Sequence, residues 1–285
     1  MIKKIVLIVL IVCLHNNYMA QRIDFFPKEK SYSDPVEYVF GLGATNFLGD
    51  LGGANKVGTD YSLSDIDFPS TGVGMTFAYR YRLHPFYAST TNLEFSIIRS
   101  DDSETLEIIR NSRNLHFRSN TFKLTQRFDI ILLEFKIKRS QTKHQFYLYS
   151  GLGLMYFNPK AKYKQEWVSL RPLHTEGQGL EGGPKKYLPV TMTIPFGIGY
   201  KMFLNRKWSI GIEATYTKTF SDYIDDVGGI YYDPSKLLNL YGEQSAYFSN
   251  PSNKNQNWFS PGQQRGDKDK DAILNLNFTV GISIR

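Results

Sequence analysis

Large apolar residues alternate with small or charged ones along much of the chain. Over 72–83, "GVGMTFAYRYRL", Val73, Met75, Phe77, Tyr79, Tyr81 and Leu83 share one parity. Gly72, Gly74, Thr76, Ala78, Arg80 and Arg82 share the other. Successive strand side chains point to opposite faces, so this spacing predicts a strand with one large apolar face. The same period recurs in eight segments, near 36–44, 72–82, 87–98, 120–133, 146–157, 187–202, 208–220 and 272–284. In the sixth, Leu188, Val190, Met192, Ile194, Phe196, Ile198, Tyr200 and Met202 oppose Thr191, Thr193, Gly197 and Gly199. In the eighth, Leu274, Leu276, Phe278, Val280, Ile282 and Ile284 oppose Asn275, Asn277, Thr279, Gly281 and Ser283.

A soluble sandwich and a membrane barrel both produce this alternation, and the connections separate them. The second, fourth and sixth are short: "HPF" (84–86), a basic turn around 136–144, and "LNRK" (204–207). The first, third, fifth and seventh are long, about 45–71, 99–119, 158–186 and 221–271. Short periplasmic turns and long extracellular loops are the rhythm of outer-membrane barrels, whereas a sandwich has no reason to segregate its loops. The expected fold is all-β: an eight-stranded antiparallel transmembrane β-barrel with every long loop at one end. Tyr79, Tyr81, Tyr87, Phe146, Phe203 and Trp208 are expected to ring the short-turn end, and Tyr156, Phe157, Tyr216 and Phe220 the long-loop end.

The N-terminus changes the picture by implying export. Lys3 and Lys4 precede "IVLIVLIVCL" (5–14), and Ala20–Gln21 is a plausible cleavage point, although Tyr18 departs from the usual small residue. This divides the chain into a signal peptide (1–20), a periplasmic segment (21–35) and a barrel (36–285). Cys13, the sole cysteine, would leave with the leader, which removes disulfides and thiol chemistry from the mature chain. The full chain carries +7; after cleavage, 32 basic residues face 27 acidic ones. In an exported protein that excess suits anionic lipid headgroups better than nucleic acid.

Charges on the small-residue parity would point into the barrel. Glu37, Arg80, Arg82, Glu94, Lys123, Arg127, Asp129, Lys201 and Glu213 form this set. An eight-stranded bore is about filled by side chains, and buried charges need partners, so a plugged, salt-bridged lumen is expected, with Arg127 paired to Glu94 or Glu213. Chemistry beyond this is sparse. His84, His116, His144 and His174 fall in different turns and loops, without zinc-type spacing and with no apparent hydrolytic constellation. The Gly-rich "GLGATNFLGDLGG" (41–53) places Gly41 and Gly43 within a strand, which suits a crowded lumen rather than a phosphate. "RGD" (265–267) reads as a chance tripeptide. The expectation is a non-enzymatic protein without cofactor, resident metal or small-molecule substrate, in contact with outer-membrane lipids.

"SDYIDDVGG" (221–229) opens the longest loop with Asp222, Asp225 and Asp226 in five positions. Such carboxylates could supply oxygen ligands to calcium, but the full D-x-D-x-D-G spacing is missing. The favoured alternative is a strand end whose acids face water or pair with "RGDKDKD" (265–271).

Several stretches, in order, resemble the PorG-like family of Bacteroidetes outer-membrane barrels, associated with type IX secretion. They are "GATNFLGDLGG" (43–53), "RNLHFRSNTFKL" (113–124), "NPKA" (158–161), "PLHTEGQG" (172–179), "IPFGIGY" (194–200), "FSDYIDDVGGIYYD" (220–233) and "QRGDKDKD" (264–271). "DAILNLNF" (271–278) has fewer aromatics than the family's last strand would have. The resemblance implies a barrel tied to a periplasmic ring of the PorK and PorN kind. The basic turn "KIKRSQTKHQ" (136–145) would then be the contact, through Lys136, Lys138, Arg139 and Lys143. The rival expectation is a surface barrel whose loops bind a ligand or protein, unconnected with secretion.

Overall fold

In the computed structural model, residues 36–51, 69–136, 142–252, 256–267 and 269–284 are described. The leader, the 21–35 segment, Lys138 and Arg139 lie outside these residues. The strands are β1 (Val36–Leu48), β2 (Gly72–His84), β3 (Tyr87–Asp101), β4 (His116–Lys136), β5 (Lys143–Tyr156), β6 (Pro159–Tyr163), β7 (Glu166–Ser169), β8 (Val190–Phe203), β9 (Trp208–Thr219) and β10 (Ala272–Ile284). Eight of them form one closed antiparallel ring, β1-β2-β3-β4-β5-β8-β9-β10, with β10 returning to β1. Closure pairs both edges of every ring strand, which satisfies the backbone inside a bilayer. The hairpin β6–β7 stands outside the ring, joined to the outer part of β4 through Arg118 and Ser119.

The two parities sort as the alternation requires. Phe40, Phe77, Leu93, Leu124, Leu148, Ile198, Ile212 and Phe278, one from each ring strand, are all exposed. Water would not tolerate so continuous an apolar belt, whereas lipid requires it. The opposite parity fills the bore in three layers. Charged residues occupy the middle and the short-turn half. Thr45, Ser96, Thr121, Thr193, Thr217 and Asn275 follow, all buried. Nearest the long loops, the inward positions become Phe47, Ile98, Phe117, Met155 and Ile273.

This apolar layer is the floor of a second core. Leu51, Leu115, Phe157, Ala161, Leu170, Ile224, Val227 and Phe248 pack onto it from the loops. The long connections therefore make a folded cap. It contains helices α1 (Ile108–Arg113), α2 (Pro234–Tyr241) and α3 (Glu243–Ser249), as well as the β6–β7 hairpin. Glu107 caps α1 by accepting from the Ile109 and Arg110 amides, and Asp233 caps α2 with Pro234 in its first turn.

Several expectations shift. Strand β4 runs 21 residues, beginning at His116 rather than near 120, because its outer end pairs with β3 and β6 beyond the belt. Strand β8 starts at Val190 rather than 187. Phe157 is fully buried in the cap core and belongs to no girdle. Phe203 has lumen parity, and its ring lies 5.4 Å from Lys143 Nζ and 5.5 Å from Lys201 Nζ.

Candidate functional site

Two polar assemblies stand out, one in the bore and one in the cap. In the bore, Arg80 of β2 reaches three acids. Its Nε donates to Asp129 Oδ2 at 2.8 Å, Nη1 to Glu37 Oε2 at 3.3 Å, and Nη2 to Glu213 Oε1 at 2.9 Å. Arg127 of β4 donates twice to Glu213, at 2.7 and 3.0 Å, and its Nε lies 3.2 Å from Asp129. Lys201 is ion-paired with Glu37, whose other oxygen accepts from Ser209 Oγ at 2.6 Å. Three acids thus balance three bases within one layer. Tyr147 donates to Glu213 Oε1 at 2.5 Å, and the Arg127 guanidinium lies 4.0 Å over the Tyr149 ring. These rings fit because the facing residues on β8 are Gly199 and Gly197. A Cβ there would approach the tyrosine rings to 2.2 and 2.1 Å.

Of the sequence candidates, Glu37, Arg80, Arg127, Asp129, Lys201 and Glu213 meet in this layer. Lys123 pairs with Glu94 at 3.0 Å one level nearer the cap, so Arg127 takes Glu213 and not Glu94. Arg82 pairs at 3.0 Å with Glu134, which the alternation misses. The β4–β5 register shifts between Ile131 and Leu133, and this bulge turns Glu134 from the lipid parity to the lumen. Lys143, expected as an exposed partner contact, is buried against Glu134 at 2.5 Å. Among the four basic-turn candidates, Lys136 is exposed at the end of β4. The residual cavities beside Arg80 and Glu37, and beside Lys123 and Glu213, measure about 30 Å³ and about 10 Å³, room for isolated waters.

The cap assembly contains the opening acids of the seventh loop. Asp222, Asp225 and Asp226 are buried, not turned to water. Asp226 accepts from Thr175 Oγ1 at 2.6 Å and Tyr187 Oη at 2.5 Å. Arg265, first residue of the RGD tripeptide, is buried. It donates to Glu176 Oε1 at 2.9 Å, the Asp226 carbonyl at 2.9 Å and the Phe248 carbonyl at 3.1 Å. Arg113 forks onto Asp102 at 2.7 and 2.9 Å and also donates to the carbonyls of Asp50 and Arg265. Lys270 stands 3.9 Å from Asp222, so pairing with the 265–271 segment does occur. Burial pushes the Asp222 carboxyl up to about 7, with Lys270 drawing it back only in part. Burial likewise raises Asp50 and Asp226 to about 6, and Asp225 and Asp271 well above the carboxylate range. Among the described residues, no three or more His, Cys, Asp and Glu side chains are spaced to hold a metal ion as they stand.

Arg113, Glu176 and Arg265 carry no periodic signal in the sequence, because they are scattered through loops. Each nevertheless sits in a stretch that carries the family resemblance, as do Asp50, Asp222 and Asp226. The resemblance stretches from all four long loops meet in the cap.

A family model described as a domain of unknown function, DUF6089, matches residues 23–241. The chain belongs to the DUF6089 family. The matched span runs through all strands but β10 and includes much of the cap. No curated protein matches the sequence. Solved structures similar to this DUF6089 chain include Neisserial surface protein A. Identity there is 8%, covering 87% of this chain and 96% of that one, with a TM-score of 0.38. AlkL, an outer membrane protein solved in lipid bilayers, is 9% identical over 91% of this chain and 95% of its own, with a TM-score of 0.37. OprG from Pseudomonas aeruginosa is 9% identical over 88% and 96%, with a TM-score of 0.36.

Proposed function

We propose that this DUF6089 chain is a non-enzymatic barrel of the cell outer membrane and a component of the type IX secretion and gliding machinery, linking the outer membrane to a periplasmic ring. The observation that carries the reading is the closed charge layer. Arg80, Arg127 and Glu213 join facing walls directly, which speaks against a route for cargo through the bore and leaves the two ends as working surfaces. The ordered motif set, with its likeness to PorG-like barrels, supports the secretion link. On this reading the short turns face a periplasmic ring of PorK- and PorN-like proteins, with Lys136 among the contacts. Deleting the gene and assaying secreted cargo tests it. Loss of export with other outer-membrane proteins intact is the expected result, and normal export would sink the secretion link. A second reading, a surface barrel that binds a ligand or protein, is favoured by the folded cap. Under it, pull-down from detergent yields a partner whose capture depends on the cap loops and not on the basic turn.

A further inference from the structure

Residues 170–189 connect β7 to β8 and fold around a cavity of about 230 Å³. Its lining, Arg171, Pro172, His174, Gln178, Lys186 and Tyr187, comes entirely from this connection. At about 30 Å³ per water, the space suits a headgroup-sized ligand rather than an isolated water. The loop's own bonds set the walls. The Gly179 amide donates to the Pro184 carbonyl at 2.6 Å, and the Gly177 amide to the His174 carbonyl at 2.7 Å. His174 Nδ1 donates to the Gln178 carbonyl at 2.6 Å, and its ring stacks on Tyr241 with centroids 4.5 Å apart. Arg171 Nε donates to the Tyr187 carbonyl at 3.3 Å, which holds the guanidinium and leaves its Nη groups unengaged. The Lys186 stem lies against Gly179, where a Cβ would approach Lys186 Cε to 2.6 Å.

The charge of this lining is one-sided. It holds Arg171 and Lys186 and no carboxylate, and neither cation joins a salt bridge among the described residues. The positive field is felt at His174. Burial first, then Lys186 and Arg171, hold its imidazole below the usual range, against the pull of its bond to Gln178. A second observation does not depend on charge. Gln178 is 2% exposed, and its Oε1 accepts from the Glu176 amide at 3.1 Å, but its Nε2 is buried with no hydrogen-bond partner. A buried donor left bare is costly. The cavity therefore gathers donors and lacks an anion to receive them.

We propose that this cavity binds a phosphate group, held by Arg171 and Lys186, with the Gln178 side-chain nitrogen as a neutral donor. A guanidinium fork and an ammonium suit a dianion with several oxygens better than a single carboxylate. Pro172 and Tyr187 supply an apolar wall for the carbon skeleton that carries the phosphate. Lys186 lies two residues before Leu188, which is exposed, and Val190 and Met192 continue that parity into the lipid-facing belt. The site thus stands near the outer headgroup level, within reach of a lipid phosphate or a soluble phosphomonoester. The inference uses only the fold and is independent of the secretion reading.

The test uses the full chain folded in uncharged detergent at low ionic strength, with inorganic phosphate as the probe. Calorimetric titration is expected to show one phosphate per chain. Arg171→Gln/Lys186→Gln should weaken it by about tenfold or more. Both side chains are exposed, so the double variant should keep the heat-dependent gel shift of a folded barrel. If it does not, Lys186→Gln alone carries the comparison, and weakened binding is again expected. A second arm separates the sources, in nanodiscs of phosphatidylcholine with either phosphatidic acid or phosphatidylglycerol at matched surface charge. Weaker uptake of added phosphate with phosphatidic acid means that a lipid phosphomonoester fills the site. Equal uptake in the two means that the ligand comes from solution. Absence of phosphate binding by the wild-type chain in detergent overturns the proposal, and so does binding that the folded variant retains in full.

Discussion

Glu213 accepts from two guanidiniums and a tyrosine hydroxyl in the middle of the bore. Replacing it by Leu leaves Arg80 and Arg127 underpartnered in a buried layer, a loss of about 3–5 kcal/mol. Urea unfolding in detergent, read by the heat-dependent gel shift, measures it. Parity supplies a sharper contrast. Phe77→Arg puts a charge into lipid and should cost about 2–4 kcal/mol, whereas Thr76→Arg enters the bore and acts on the charge layer instead. Similar tolerance at both positions would show the register to be wrong. Gly199→Ala should destabilise the fold, because its new methyl meets the Tyr147 ring. The lumen charges were legible from sequence because each sits on an unbroken two-residue period. Glu134 was not, since a single-residue bulge reverses its side and leaves no mark in composition. The depth of Asp225 and Asp226 was hidden as well. A short run of acids looks solvated until other loops are known to cover it.

The ring strands were readable because one face meets lipid and the other a narrow bore, which enforces strict alternation. The β6–β7 hairpin and the cap helices were not, since they belong to a cap whose small core is assembled from four separate loops, and no local period reports such packing. Two consequences belong to these elements. Lys136 and Lys143 leave the same turn but serve different structures. Lys143→Glu should impair barrel assembly by opposing Glu134, whereas Lys136→Glu should insert normally and, on the proposed secretion reading, weaken only a salt-sensitive partner contact. Insertion assays on both variants check this. The cap's acids also give it a pH dependence. In the folded cap Asp50 and Asp226 titrate near 6 and Asp222 near 7, above the unfolded value of about 3.9, so the folded cap holds more protons than the unfolded loops between these limits. Cap stability should therefore fall as pH rises from about 4 to 7. Limited proteolysis across that range should show progressive loss of protection, and a constant rate would contradict it.

As a whole, the molecule is closed twice, by a charge layer in the bore and by an apolar plug beneath the loops. Planar-bilayer recordings should show no steady large conductance, and circular dichroism in detergent should be strand-dominated. A stable open channel would refute the closed bore. The chain's route through the plug bears on how the protein is made. Phe47 and Leu51 follow the first ring strand, Ile273 begins the last, and both contribute to the one cap core. That core cannot be completed while β1 and β10 are apart. A chain stalled in insertion would leave Phe47, Leu51 and Ile273 uncovered, and a finished one buries them. Protease resistance of the strand ends beneath the cap thus reports a completed seam.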